Sequence, residues 1–239
     1  MFGVGMVLLL LVLLGMGAVV LSRAPFLRIT TVMVEGAETL AAERVAEFVE
    51  KEFAGRYWGL FAKNNIFLYP KGSLIAALLA EYPVLRSAQL RAADFHTVSV
   101  SVVERHPRAI WCGSVCYLMD EDAVTYAPAP VFSEPVYIVY RGERLSAEEF
   151  RALSTLVDAV SKLQAQDKVE IVAVDAERDV RVGFASGFEL LFALSEAGGD
   201  VFERFSLVLV AEPFQHRTLA DFEYLDLRWG YKLYYKVRE

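Results

Sequence analysis

Cysteine and histidine are scarce, 2 and 3 residues in a chain of 239. Two cysteines cannot build a disulfide-rich scaffold or a four-Cys zinc site. His96, His106 and His216 lie in unrelated contexts and share no metal-ligand spacing. No cluster of Lys or Arg occurs, and the formal net charge is −7; nucleic-acid binding, which needs a basic footprint, is therefore disfavoured. P-loop, Gly-x-Ser-x-Gly and His-Glu-x-x-His motifs are missing. The Gly3-Val-Gly5 triplet is no dinucleotide fingerprint, because no strand precedes it. Repeats and low-complexity tracts are absent too. No catalytic residue, metal ligand or cofactor is expected.

What the chain has in surplus is apolar side chains, 55% of the total against 23% charged, which excludes a disordered chain. That surplus is concentrated at the start. Residues 1–22 carry no charge, and 7–14 are almost pure Val and Leu. A helix of about 20 residues rises about 30 Å, the thickness of a bilayer core. Residues 1–24 are expected to form a retained transmembrane anchor. A cleaved signal peptide is the rival reading, but no basic residue precedes the apolar run, and Ser22-Arg23-Ala24 leads into Pro25, a poor cleavage context. A buried soluble helix is the third. Arg23 and Arg28 both follow the run, so charge alone weakly places the remainder in the cytoplasm, although the rule loses force for a large folded domain.

Beyond Pro25 the period changes. Leu27, Ile29, Thr31 and Met33 alternate with Arg28, Thr30, Val32 and Val34, which predicts a strand ending at Glu35-Gly36. Thr39 is the expected cap of a helix reaching about Phe53, with Val45, Phe48, Val49 and Phe53 as its apolar stripe. Residues 54–70 read as a loop. Ser73 is the expected cap of a second helix, closed by Pro83. Strands follow at 84–91 and 97–103, the second from the alternation of Val98, Val100 and Val102. The sum is a two-layer βααββ unit over 25–104.

Residues 105–239 predict a β-rich mixed domain with two helices. Strands 109–112 and 116–119 form a hairpin around Gly113-Ser114-Val115, prolines 128, 130 and 135 break the next stretch, and a strand resumes at 136–140. Ser146 and Glu149 are spaced as a capping box for a helix burying Phe150, Leu153, Val157 and Val160. Strands are expected at 169–174, 179–185 and 187–194, then a second capped helix opening at Asp200 with Val201, Phe205 and Leu209 inward. Residues 225–237 alternate in strict period two, which predicts a half-exposed C-terminal ribbon with Gly230 as a bulge or tight turn. The fold class is α+β.

Six phrases in order then resemble the FtsQ/DivIB family of bacterial cell-division proteins: Ile29-Thr-Thr-Val-Met-Val-Glu-Gly36, Asn65-Ile-Phe-Leu68, Val102-Val-Glu-Arg-His-Pro-Arg-Ala-Ile-Trp111, Tyr117-Leu-Met-Asp120, Gly187-Phe-Glu-Leu-Leu191 and Leu225-Asp-Leu-Arg228. The family's usual Asp-x-Gly is replaced by Asp120-Glu-Asp-Ala123, a departure at that turn. The resemblance implies a POTRA domain followed by an FtsQ-type β domain. It implies a non-enzymatic divisome scaffold, single-pass in the cytoplasmic (inner) membrane, with a cytoplasmic N-terminus and extracytoplasmic, periplasmic domains. The implied partners are FtsB-like and FtsL-like coiled-coil membrane proteins, and the implied role is in regulating septal peptidoglycan synthesis. Two other tasks compete: a POTRA-type chaperone module for secreted or outer-membrane polypeptides, and an anchored extracytoplasmic hydrolase using the acidic turn.

The leading candidate site is the terminal ribbon: Trp229, Tyr231, Lys232, Leu233, Tyr234, Tyr235 and Lys236. An edge strand offers unpaired backbone groups to a partner strand, and aromatics supply anchors. The competing reading makes Leu225, Leu227, Leu233 and Trp229 core residues; it is favoured for Leu225 and Leu227. Cys112 and Cys116 bracket a three-residue turn within disulfide range, against two reduced, half-buried thiols. Asp120, Glu121 and Asp122 read as a solvated turn rather than a cation site. Glu104 and Arg105 suit a weak junction ion pair. The aromatics of 57–61 read equally as a docking or membrane-interface surface and as packing against the helix pair.

Overall fold

The computed structural model describes residues 2–230 and 232–239, without the side chains of Phe2 and Gly3. It is mixed α+β, with five α-helices among the described residues. The chain divides into two compact units, Met1–Arg105 and His106–Glu239.

The first unit opens with α1 (Phe2–Ser22), the one helix among the described residues long and apolar enough to cross a membrane. Its apolar side chains are exposed all round, which suits lipid and not water. Then come β1 (Thr31–Glu35), α2 (Ala42–Glu52), a small hairpin of β2 (Arg56–Tyr57) and β3 (Phe61–Ala62), α3 (Lys71–Glu81), β4 (Leu85–Ala92) and β5 (Thr97–Glu104). The sheet order is β1-β5-β4, β1 parallel and β4 antiparallel to the central strand. Val98, Val100 and Val102 on β5 meet Val45 and Val49 of α2 and Leu74 and Leu78 of α3 in one buried cluster. Each such side chain contributes roughly 1.5–3 kcal/mol by leaving water.

Several expectations for this unit are corrected. The first strand begins at Thr31, not Leu27, because Pro25–Leu27 form a 3-10 turn and Leu27 and Ile29 bond instead to residues 64–66: Ile66 N–H donates to the Leu27 carbonyl at 2.9 Å and Ile29 N–H to that of Asn64 at 2.8 Å. Neither Thr39 nor Ser73 caps a helix; the N-cap positions are Ala41 and Pro70. Thr39 donates its hydroxyl to the Glu104 carboxylate instead, and the Ser73 hydroxyl bonds back to the Pro70 carbonyl. The segment read as a loop holds the β2–β3 hairpin.

The second unit carries β6 (Ala109–Cys112), β7 (Cys116–Met119), β8 (Thr125–Pro128), β9 (Val139–Gly142), α4 (Ala147–Leu163), β10 (Val169–Val174), β11 (Asp179–Phe184), β12 (Glu189–Ala193), α5 (Val201–Leu209), β13 (Phe222–Trp229) and β14 (Lys232–Val237). All its strands form one nine-stranded sheet, ordered β14-β13-β12-β11-β10-β9-β6-β7-β8. The core joins Phe150, Leu153 and Val157 of α4 and Val201 and Phe205 of α5 to sheet residues such as Val172, Leu190, Phe192 and Leu225. The Ser146–Glu149 capping box is formed in both directions, at 3.2 and 2.8 Å. Arg178 also bonds the Glu149 carboxylate, and with the Ser146 backbone N–H it draws that carboxyl down to about 2.

Here too the structure corrects details. A short strand not expected, β8, lies just ahead of the proline break: it ends at Pro128, on the sheet's outer edge where a missing N–H is tolerated, and residues 129–138 carry no strand. The strand expected from 136 starts at Val139. The Asp200 side chain makes no cap hydrogen bond to α5 and lies 3.5 Å from Arg204 Nε. Asp120 is buried, not solvated: its Oδ1 accepts from the backbone N–H groups of Asp122 (3.0 Å) and Val124 (2.9 Å). Ala123 in that turn takes a left-handed φ of 60°.

Candidate functional site

The C-terminal alternation does not run as one ribbon. Gly230 adopts φ +63°, a conformation glycine enters without Cβ penalty, and the chain folds back as the antiparallel hairpin β13–β14. Tyr231 lies outside the described residues. The fold-back places β14 at one end of the nine-stranded sheet, with β13 as its only strand neighbour among the described residues.

Strand β13 keeps its two faces, but the outer one is covered at Asp226. Leu225, Asp226 and Leu227 are all buried in succession, and the register slips between Asp226 and Trp229, as at a β-bulge. The Asp226 carboxylate stabilises that irregularity. Its Oδ1 accepts from Arg228 N (3.0 Å) and Nε (2.9 Å), and its Oδ2 accepts from Arg228 Nη2 (2.7 Å). Arg228 Nη1 reaches Asp179 Oδ2 on β11 at 2.6 Å. Burial by itself would raise the Asp226 carboxyl, but the hydrogen bonds and charge of Arg228 outweigh it and hold the group below the usual range. Arg228 is correspondingly raised by its bonds to Asp226 and Asp179. Asp226 keeps the parity of Tyr224 and Arg228, opposite the core residues Leu225 and Leu227, and is buried there against Arg228 and Trp229.

A second clamp, missed in the sequence, comes from α5. Arg204 donates Nη1 to the carbonyls of Leu227 (3.0 Å) and Gly230 (2.9 Å), and its Nη2 meets Glu196 Oε2 at 2.5 Å. An arginine beside the inward stripe of an amphipathic helix was the available signal. At the other end of β14, Arg238 donates its N–H to the Asp221 carbonyl and Nη1 to that of Ser186, both at 2.9 Å. The edge strand is thus held at both ends by cations.

The candidate residues separate into groups. Leu233 and Tyr234 are exposed, and so is Trp229, whose indole N–H points at Asp226 Oδ2 from 3.4 Å. Leu225 and Leu227 are core residues. Tyr235 is half committed to the fold, with its ring edge-on to Phe214 (5.5 Å) and Phe222 (6.0 Å). Lys236 pairs with Glu223 across the hairpin at 2.8 Å, which raises its ammonium. Lys232 is exposed and engages in no ion pair among the described residues. The result is a ladder edge flanked by tyrosine, leucine and lysine, suited to accepting an extended segment.

Elsewhere, Cys112 and Cys116 face each other across the β6–β7 hairpin, joined by a disulfide with Cα atoms 4.0 Å apart. Among the described residues no group of three or more His, Cys, Asp or Glu is placed to hold a metal ion. Glu104, expected in a junction ion pair, takes another task inside the first unit. Its buried carboxylate accepts from the backbone N–H groups of Glu38, Thr39 and Leu40 at 2.8, 3.1 and 2.9 Å. Burial opposes the charge, but the Thr39 hydroxyl and these three N–H groups outweigh it and lower the carboxyl to about 2. Compared with known proteins, the chain matches no family model, and no curated protein matches it at a significant level.

Proposed function

We propose that this chain is a single-pass membrane scaffold of the FtsQ/DivIB kind, without enzymatic activity, that captures FtsB-like and FtsL-like coiled-coil partners by strand addition to β14. In this role it sits in the cytoplasmic membrane with its N-terminus inside and both folded units outside, and helps regulate septal peptidoglycan synthesis. The observation that carries the reading is the position of β14: the last strand of a nine-stranded sheet, clamped at both ends, with exposed Leu233 and Tyr234 beside its free ladder edge. The βααββ order of the first unit agrees with a POTRA-like module, as the sequence resemblance implies. The exposed apolar α1 agrees with the anchor.

The test is capture of partners from native membranes by the full chain, read by mass spectrometry, for the wild type and for Tyr234→Ala and Tyr234→Glu. Small coiled-coil membrane proteins are expected with the wild type, and a loss of about tenfold or more with Tyr234→Glu, since anchors at strand edges dominate interface energetics. The β13–β14 amides should also become protected from hydrogen exchange on binding. Failure to recover such partners, or equal capture by a folded Tyr234→Glu protein, would remove the reading.

A further inference from the structure

Among the large apolar side chains of the first unit that stay exposed beyond α1 are Phe26, Trp58, Leu60, Phe67 and Phe95. Trp58 is 88% exposed and Phe67 71%. Trp58 also carries a positive φ of 48°, a region that costs a bulky residue about 1–2 kcal/mol. The folded chain gains little from a tryptophan held there, so its use is to be sought outside the chain.

These side chains are tied to the end of α1. The Ser22 carbonyl, at the last residue of that helix, accepts from Asn65 Nδ2 at 3.0 Å, and the Asn65 side chain is buried. Asn65 Oδ1 in turn accepts from the Phe67 N–H at 2.9 Å. Arg23, the next residue, donates Nε and Nη2 to the Leu60 carbonyl at 3.0 and 2.8 Å, beside the Trp58-Gly59 tip of the β2–β3 hairpin. Phe95 stacks edge-on with Phe67 at 6.3 Å, and its neighbour His96 accepts from the Thr30 and Thr31 N–H groups through its carbonyl. Three separate turns therefore converge on the residues that follow α1.

Depth follows from helix geometry. The 21 residues of α1 rise about 32 Å, against a hydrocarbon core of about 30 Å. Little helix is left over, so groups bonded to Ser22 and Arg23 lie in the headgroup zone when α1 spans a bilayer. Tryptophan is enriched at that depth. Arg23, Arg28, Arg56 and Lys63 belong to the same segments and match the charge of anionic headgroups; of the nearby acids, Asp94 is occupied by the N–H groups of His96 and Thr97 at 2.7 Å each, and Glu50, on α2, lies beside Asn64. We infer that this face of the first unit is a lipid-binding surface, seated in the membrane interface at the end of α1 with Trp58 inserted among the headgroups. The seat removes the swivel that a bare tether would leave to the unit.

The inference rests on α1 spanning the membrane, and the experiment separates the two. The full chain carrying Trp111→Phe and Trp229→Phe, which leaves Trp58 as the only tryptophan, is reconstituted into vesicles of phosphatidylcholine and phosphatidylglycerol. Flotation reports the anchor. Bromine placed shallow or deep in the acyl chains reports the depth of Trp58 by quenching. The expected result is flotation with at least about twofold quenching by shallow bromine and less by deep bromine. Flotation with no quenching overturns the lipid-binding surface alone, and so does stronger quenching by deep bromine. Failure to float overturns the anchor and the surface together. Should the double substitution not fold, the difference in quenching between the wild type and Trp58→Phe gives the same reading.

Discussion

Replacing Glu104 by glutamine isolates a carboxylate that performs a structural task across the first unit. The carboxyl is held at about 2 against an ordinary 4.5, a depression of roughly 2.5 pH units. At about 1.4 kcal/mol per unit that corresponds to at most roughly 3–4 kcal/mol of stability. Solvent screening lowers that figure, so it is an upper bound. Because the folded value lies below the unfolded one, the contribution is complete above about pH 5, and it is lost as pH falls from about 4.5 toward about 2. In Glu104→Gln the amide side chain keeps one acceptor oxygen but loses the charge, and turns an NH2 group toward donors that need an acceptor. The expected cost at pH 7 is about 2–3 kcal/mol, within the range for hydrogen bonds to a charged group. The assay is hydrogen exchange of the 36–46 backbone in the full chain, measured for both proteins from pH 7 downward by way of urea-dependent protection. The gap between them should be widest near neutrality and close toward pH 2. A gap below about 0.5 kcal/mol at pH 7, or one that does not narrow in acid, refutes the assignment of Glu104 as the anchor of the 38–40 turn.

Two further outcomes are expected. Ala123→Gly relieves a left-handed φ of 60° and should stabilise the second unit by about 1 kcal/mol, seen as a higher unfolding midpoint; an unchanged or lower midpoint would show that the turn is not strained there. Thiol titration of denatured, unreduced protein should find no free cysteine, since Cys112 and Cys116 are joined, and two reactive thiols would contradict the bridge.

Much of the architecture was readable where interactions are local. Alternating valines gave β5, the Ser146–Glu149 spacing gave the start of α4, and the spacing around Gly113 gave the β6–β7 hairpin. Each depends on residues within four or five positions of one another, so periodicity and capping rules suffice. The failures share a different origin. Thr39 had the right chemistry for a cap, yet its hydroxyl is taken by a carboxylate 65 residues away. Asp226 had the parity of an exposed residue and keeps it, yet it is buried on that face by Arg228, whose guanidinium also reaches Asp179. The strand expected from Leu27 lost its first residues to pairing with a later turn.

The candidate edge shows the same division. Aromatic and basic residues in period two marked 229–236 as a surface strand, with Tyr234 among its candidate anchors. That β14 is the end strand, that Tyr235 leans on Phe214, and that Arg204 grips the turn at Gly230 were decided by assembly of the sheet. By itself the amino-acid order determined an apolar segment long enough to span a membrane, two folding units and most helices and strands, because burial period and capping are short-range properties. Only the tertiary structure decided which strand ends the sheet and which buried carboxylates stay charged, because both depend on groups brought together from distant parts of the chain.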